Sequence, residues 1–423
     1  MLEKPKLFLT LKAFWLSMLF LLTLLALRLF ILHGEYEAFK NKPFFFTEVN
    51  VIQAYEKWND DEYHTILKLY SPILDINFFS RTKIRAKEIP SQIRLKLYPQ
   101  KEMRFSEYLG TSFIYSHINS LLEPRESMKN KLLLRVEKQH ENRMISNFYK
   151  AIFFATPLEK SLRTQVASLG VSHLIALSGF HLAILSTLLF FLLRPFYRFF
   201  QQRYFPYRFD LFDVGFMVLV ILAWYVWFVD APPSLIRSYM MMFVGWLLLV
   251  WGIELISFTF LITIVLLLLV IFPKMLLSLA FWFSVIGVFY IFLLLQYFSH
   301  LNKYLMTLII SFGIFILMLP IVHLIFPLVS PLQLLSPFLS MIFGIFYPLS
   351  MGLHLLGMGG LSDGLLLTLF SIKSGESYLL INLWYGIAYL ILSIMAIFYK
   401  RLLYVLFLVA FLFFVELFMG FWV

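Results

Sequence analysis

The spacing of apolar and polar residues changes character three times along the chain, and each change predicts a different kind of element. From about Ala13 to Leu32 the residues are apolar almost without a break, following Lys4, Lys6 and Lys12. A run of about 20 such residues crosses a bilayer core of about 30 Å as a helix. It is longer than the apolar core of a secretory signal and has no small-residue cleavage pattern, so a retained anchor over residues 1–34 is predicted. The flanking lysines then put the N-terminus in the cytoplasm.

Over residues 35–124 the pattern shortens to a period of two in TEVNVIQAYEK, EYHTILKLYS, INFFSRTKIRAKE and QIRLKLYP. These stretches are rich in β-branched and aromatic residues and are divided by Asp, Asn, Pro and Ser, as strands are. Four or five strands in so short a segment suit a small OB-like barrel, although periodicity alone allows any small β domain. Residues 125–165 return to helical spacing with mixed charge, predicting an amphipathic helical linker lying on or against the membrane. HGEYE and GGLSDG have loop composition.

From 166 to 423 the chain is almost wholly hydrophobic. Spans are predicted near 171–193, 211–229, 235–252, 256–272, 276–296, 304–327, 331–357, 378–398 and 402–421, lengths that cross a bilayer with some tilt. The loop holding Arg194, Arg198, Arg203 and Arg208 belongs in the cytoplasm by its charge. Lys400 and Arg401 suit the same side, yet strict alternation of these spans places them opposite, so one segment is miscounted or re-entrant. The fold class expected is a polytopic α-helical membrane protein with an N-terminal anchor and a small external β (OB-like) domain, its polytopic part spanning 166–423 and its seat the cell (inner) membrane.

Composition agrees with this division. Of 423 residues, 61% are hydrophobic and only 14% charged, against about a quarter charged in soluble domains. With no Cys, disulfides and cysteine-ligated metal centres are excluded. The net charge is +11, and Phe39–Gln165 alone carries 21 Lys and Arg against 14 Asp and Glu. An external domain has no insertion-related reason to be basic, so the surplus favours an anionic partner such as nucleic acid or lipid headgroups.

Two polar clusters interrupt the hydrophobic half. In SHLIALSGFH, a helix at 100° per residue would gather His173, Ser178 and His181 within an arc of about 140°, and Ser178-Gly179 is a point where helices thin or pack closely. Packing accounts for a serine and a glycine. Two histidines in a span are expensive and usually face a bundle interior or water. In DAPPSLIRSYMMM, Asp230 and the prolines break the apolar run before Arg237, which either snorkels to the interface or marks a broken helix buried in protein. Ser284 and Gly287, Pro320 and His323 fit ordinary packing and kinks, and Glu416 is an intramembrane carboxylate with no evident partner. The sequence contains no HExxH, GxxxxGK[ST] or HxHxDH pattern, and Ala176-Leu177-Ser178-Gly179 only brushes the GxSG of intramembrane serine proteases. No catalytic residue, metal site or cofactor is expected.

The segment SLRTQVASLGVSHLIALSGFHLAIL closely resembles the signature of the ComEC-type competence proteins through Gly170, His173, Leu174, Ala176, Ser178, Gly179 and His181. PPSLIRSYMM is similar to a second block of that family through Pro233, Ser234, Arg237 and Met241, with Ser238 where Ala is usual. AFWFSVIGV keeps of a third block Phe281 or Phe283 and Ser284, and FSEYLGTSFIYSHIN resembles the stretch that closes the family's external OB-like domain. The resemblance implies a cell-membrane channel that passes single-stranded DNA into the cytoplasm during natural transformation, with Gly170, His173, Ser178, Gly179, His181, Pro233, Ser234, Arg237 and Ser284 as its motif residues. Its implied partners are single-stranded DNA, the lipid bilayer, a periplasmic DNA-binding receptor and cytoplasmic single-strand-handling or motor proteins, with a homo-oligomer left open. Many members carry a metallo-β-lactamase-like nuclease domain; this sequence has no such motif, and no nuclease activity is expected of it. On the β domain, Phe78, Phe79, Arg81, Lys83, Arg85, Arg94 and Lys96 are the candidate single-strand surface, since aromatic rings and cations together hold such strands. A secondary or lipid transporter is the alternative, and an intramembrane serine hydrolase the third reading.

Overall fold

A helix of 31 residues, α1 (Leu11–Asn41), begins the fold, with the Thr10 hydroxyl accepting from the Ala13 amide at 3.1 Å as its cap. In the computed structural model, which describes residues 7–8, 10–59, 62–122, 128–252 and 257–419, this helix outruns the predicted anchor and takes in HGEYE, expected as loop. Tertiary burial is the reason: Tyr36 and Phe39 enter the core of the β domain, and the Tyr36 hydroxyl donates to the Met103 carbonyl at 2.5 Å.

That domain has the strands β1 (Phe45–Asn59), β2 (Glu62–Ser71), β3 (Ile76–Thr82), β4 (Gln92–Tyr98), β5 (Thr111–Phe113) and β6 (Tyr115–Leu121), with a short helix α2 (Phe105–Leu109) between β4 and β5. Hydrogen-bonded order is β5-β3-β2-β1-β4-β6, antiparallel throughout except β3 with β5. Because β5 and β6 are separated only by Ile114, whose amide donates to the Phe79 carbonyl, one bent stretch borders β3 on one side and β4 on the other. The sheet therefore closes on itself. Alternation sends Leu67, Leu69, Ile93, Leu95 and Leu97 inward, as a closed barrel requires. Phe78 points inward too and is fully buried, so it lies in the core and not on the strand-binding surface expected for it. This unit of the chain, Phe8–Met128, also includes Ile262–Phe281, whose turn joins the barrel through Lys274, paired with Asp75 at 2.8 Å.

The second unit comprises Lys129–Leu261 and Trp282 onward. The predicted linker divides into α3 (Met128–Glu137), α4 (Arg143–Phe154) and α5 (Lys160–Ser168). Helix α4 is not a surface helix: Ile145, Phe148, Tyr149 and Ile152 bury one face and the small residues Ser146 and Ala151 beside them are covered as well. After the one-turn α6 (Ser172–Ile175) come α7 (Gly179–Tyr204), α8 (Asp210–Phe228), α9 (Pro233–Val250), α10 (Phe258–Ile271), α11 (Leu279–Phe298), α12 (Lys303–Val322), α13 (Ser336–Leu355), α14 (Asp363–Ser371), α15 (Leu383–Met395) and α16 (Lys400–Met419). Among the described residues seven helical segments are long and apolar enough to cross a membrane: α1, α7, α8, α11, α12, Pro331–Leu355 and α16.

Helices α7 and α8 run antiparallel, joined at one end by Arg194 and Arg198 on Asp210 (2.8 and 2.9 Å) and by bidentate Arg208 on Asp213. The acidic first turn of α8 suits its dipole. Helices α11, α12, α15 and α16 share a second core. A two-strand ladder of β7 (Leu328–Val329) with β8 (Ser377–Tyr378) brings the chain before α13 and after α14 to the same end. The stretch 331–376 thus starts and finishes at one end: the span predicted near 331–357 is present as Pro331–Leu355, and the chain returns after it through α14. At the opposite end of that helix group, Tyr297 donates to the Ala396 carbonyl at 2.9 Å and Lys400 sits over Phe298, so Lys400 and Arg401 share an end with Lys303.

Replacing Phe78 with Ala empties the barrel core and is expected to destabilise that domain by about 3–5 kcal/mol, whereas exposed Arg81→Ala stays within about 0.5 kcal/mol. Pulse proteolysis of the full chain, following cleavage within 45–121, measures both.

Candidate functional site

The predicted span at 171–193 is broken, and the break is where the motif residues lie. Helix α5 ends before Gly170, which adopts a left-handed φ of 68°. A Cβ there would stand 3.3 Å from Gln333 and Ser336, and the Ser336 hydroxyl donates to the Gly170 carbonyl at 3.0 Å. Conformation and close approach both call for glycine. After α6, Ala176 is extended and Ser178 becomes the N-cap of α7, its hydroxyl accepting from the Phe180 amide while His181 Nδ1 accepts from the Ser178 amide, each at 3.3 Å. His173 and His181 therefore belong to different helices, and the common helical arc expected for them is corrected. A capping box satisfies two orphan amides at once, which is why the chain stops and restarts here.

The other half of the junction comes from DAPPS. Asp230 and Ala231 both take left-handed φ, 63° and 48°, and Pro232 and Pro233 start α9 directly afterwards. Proline in a first turn forfeits an amide that has no intrahelical partner anyway. The broken-helix form of this segment is the one the structure adopts. Ser234 donates to the Leu177 carbonyl at 2.8 Å, and a Cβ on Gly179 would meet the Ser238 hydroxyl at 3.0 Å. The first turns of α7 and α9 thus lie against each other, both with their positive dipole ends at the junction, and Arg237, on the first turn and a half of α9, is buried there.

Helix α13 supplies the third side. Ser340 spends its proton on the Ser336 carbonyl at 2.8 Å, so it accepts from His173 Nε2 at 3.2 Å. The His181 ring meets Phe343 and Tyr347 edge-on, with centroids at 5.1 and 4.8 Å. Tyr225 donates to the Phe153 carbonyl at 2.9 Å and lies 3.5 Å from the Tyr347 hydroxyl. With Nδ1 of His181 accepting, the ring proton sits on Nε2, which is buried without a hydrogen-bond partner among the described residues. An unmet buried donor costs about 1–3 kcal/mol, a burden more common at functional sites than in plain packing.

The cluster has two layers. His173, Ala176 and Phe180 are exposed; His181 and Arg237 lie behind them, buried. The hydrophilic groups do not all face one open path, as the sequence pattern suggested. Ser284 stands apart on α11, half-buried. Sequence reasoning missed Ser340 and Tyr347, although Ser336, Ser340, Phe343 and Tyr347 recur at helical spacing along one stripe.

On the barrel, Arg81, Lys83 and Arg85 are exposed and Phe79 is half-covered. Arg94 is exposed and paired with Glu48 at 2.5 Å. Lys96 lies 3.9, 5.6 and 5.3 Å from the ring centroids of Phe44, Phe46 and Tyr98. With the exposed Phe113 and Tyr115, these rings make an outward aromatic face on neighbouring strands that the single-sequence pattern did not reveal.

A family model described as Competence protein matches residues 155–422. No curated protein and no solved structure matches the chain.

Because a methyl at position 179 would press on Ser238, Gly179→Ala is expected to cost about 1–3 kcal/mol by overpacking. Ser238→Ala in the same chain should recover about half or more of that loss, a coupling read from thermal unfolding of all four members of the double-mutant cycle.

Proposed function

The chain belongs to the competence protein family, whose role is DNA uptake in transformation, and we propose that it forms a cell-membrane channel passing one DNA strand into the cytoplasm. The observation that carries this reading is the α6–α7/α9 junction, where the motif residues other than Ser284 meet. A phosphate chain crossing an apolar medium needs sparse positive and polar contacts, since a continuous basic wall would hold it fast. Two helix N-termini, Arg237, and the exposed His173–Ser340 pair are contacts of that sparse kind.

Orientation follows from charge. The ends holding Arg194–Arg208, Lys303 and Lys400–Arg401 go to the cytoplasm under the positive-inside rule, and all three become compatible once the α13–α14 stretch contributes an even number of crossings. The β domain is then external. Its closed order, with β3 beside β5 in parallel and β1 between β2 and β4, supports reading it as an OB-type barrel. Phe79, Arg81, Lys83, Arg85, Arg94 and Lys96, extended by Phe46, Tyr98 and Tyr115, are the surface on which a single strand would stack and pair its phosphates. A pore of one copy or two fits equally, and a surface receptor and a cytoplasmic motor or single-strand-handling protein would deliver and draw the strand. Ser178 and His181 are 3.3 Å apart, but the contact is a helix cap and no acid among the described residues orients the imidazole, so hydrolysis gains no support from it.

Deleting the gene is expected to abolish entry of labelled DNA into the cytoplasm while DNA still binds the cell surface. His181→Leu and Arg237→Leu should lower transformation at least tenfold at unchanged protein level, and Ser178→Ala much less. Survival of transformation in the deletion strain overturns the channel. DNA-insensitive flux of a small solute or lipid in proteoliposomes would make the protein a transporter, and complete loss with Ser178→Ala alone a hydrolase.

A further inference from the structure

A second polar cluster lies outside the junction. His140, in the turn between α3 and α4, has Nδ1 at 2.9 Å from both carboxylate oxygens of Asp363, the first residue of α14. Its Nε2 is 2.9 Å from Nε2 of His354 on α13, and His354 Nδ1 is 2.7 Å from the Ser350 carbonyl. Both imidazoles are buried. Gln139 fastens the same corner, donating to the His354 carbonyl at 3.2 Å and accepting from the Gly359 amide at 2.9 Å. A Cβ on Gly359 would stand 2.6 Å from His354 Nε2, so the GGLSD turn needs glycine to come this close.

Counting protons decides the state of the cluster. A carbonyl only accepts, so His354 carries its proton on Nδ1 and offers a lone pair at Nε2. If Asp363 is ionised, His140 donates from Nδ1, and two neutral rings would then face each other lone pair to lone pair at 2.9 Å. That contact is attractive only with a further proton between the nitrogens. If the proton sits on Asp363 instead, His140 accepts it at Nδ1 and donates from Nε2, and the total is unchanged. Either way the three side chains hold three protons and no net charge. A metal ion fits less well: ligand bonds of about 2.0–2.1 Å in tetrahedral geometry would hold the two nitrogens about 3.3–3.4 Å apart, and among the described residues no three His, Asp or Glu side chains are placed to hold a metal ion. At 2.9 Å the separation is that of an N–H···N hydrogen bond.

We propose that His140, His354 and Asp363 form a buried proton-binding site in which one shared proton latches the α3–α4 corner to the α13–α14 turn. Removing it leaves opposed lone pairs and an uncompensated negative charge, both of which open the contact. The titratable and charged groups around the pair are few. Tyr149 stacks on His140 at 4.7 Å, and burial together with the Asp363 carboxylate raises its phenol above the ordinary range, so it stays protonated. Glu137 is paired with Lys150 at 2.6 Å, Arg135 donates to the Leu355 carbonyl at 3.3 Å, and Glu141 and Arg143 line the groove outside. Helix α13 also carries Ser340 and Tyr347, which touch His173 and His181, so the latch holds the C-terminal end of the helix that covers the motif junction. The proton count holds whatever the chain transports.

Hydrogen exchange of the full-length protein in nanodiscs, followed from pH 5.5 to 9 and corrected for intrinsic exchange, tests this on peptides within 135–146 and 352–366. Protection is expected to be highest at about pH 6.5, where two released imidazoles together carry as many protons as the latch, and to fall above it by up to about tenfold per pH unit, the slope of one proton. His354→Gln lets a carboxamide donate to His140 without the extra proton and should abolish the dependence while keeping protection. Asp363→Asn removes the counter-charge and should move the fall at least one pH unit lower. Flat protection in the wild-type chain, or the wild-type slope retained in His354→Gln, overturns the latch, as does protection at fixed pH that rises with Zn²⁺ and falls with chelator.

Discussion

The contact between the first turns of α7 and α9 is the constraint on which the membrane unit's chemistry rests. Gly179 lies so close to Ser238 that a Cβ would stand 3.0 Å from its hydroxyl, and Ser234 uses its hydroxyl on the Leu177 carbonyl, a group left without a partner by the break before α7. Backbone that departs from a helix in an apolar environment persists only when protein or water satisfies it. Here each helix supplies what the other's interruption exposes: Ser178 caps α7, Ser234 covers Leu177, and the two prolines begin α9 without an idle amide. Two helix N-termini are thereby held side by side with Arg237 buried beside them, an arrangement that favours negative charge.

Helix α13 then decides which groups can be reached. By accepting from His173 and walling His181 with Phe343 and Tyr347, it divides two similar imidazoles into an exposed one and a sealed one. The same helix ends at His354, inside the proton-holding cluster. Coupling between sites needs an element that both contact, and α13 is that element in physical terms: a single 20-residue helix, Ser336–Leu355, with a polar group at each region of contact.

The barrel is organised by a different rule. Closure through the bent β5–β6 stretch covers edges of β3 and β4 that in a lone sheet would invite aggregation, and the end of α1 completes the core with Tyr36 and Phe39. Inward and outward faces follow from this at once. Phe78 packs with Leu67 and Leu95, while Lys96 is left among Phe44, Phe46 and Tyr98. A cation held over aromatic rings gains about 0.5–1 kcal/mol at an exposed site and presents flat apolar faces beside a charge, the combination that single-stranded nucleic acid uses.

Much of the architecture was legible in the residues themselves. Uninterrupted apolar runs dictated the anchor and most spans, alternation dictated the strands, and the Ser-Gly and Asp-Ala-Pro-Pro interruptions marked the right places, because backbone sterics and hydrophobic transfer act locally and leave a periodic trace. The end of α1, the direction of Phe78, the separation of His173 from His181 and the return of the chain through 331–376 were not legible. Each depends on which distant surface is adjacent: Met103 for Tyr36, Ser238 for Gly179, β8 for β7. The His140–His354–Asp363 cluster is the extreme case, since His140 is more than 200 positions from the other two and the three fall in a predicted helical linker, a predicted span and a stretch of loop composition. Sequence by itself determined where polar residues interrupt apolar ones; only the tertiary structure decided which of them meet, because hydrogen bonds and shared protons depend on separations of about 3 Å that no spacing along the chain encodes.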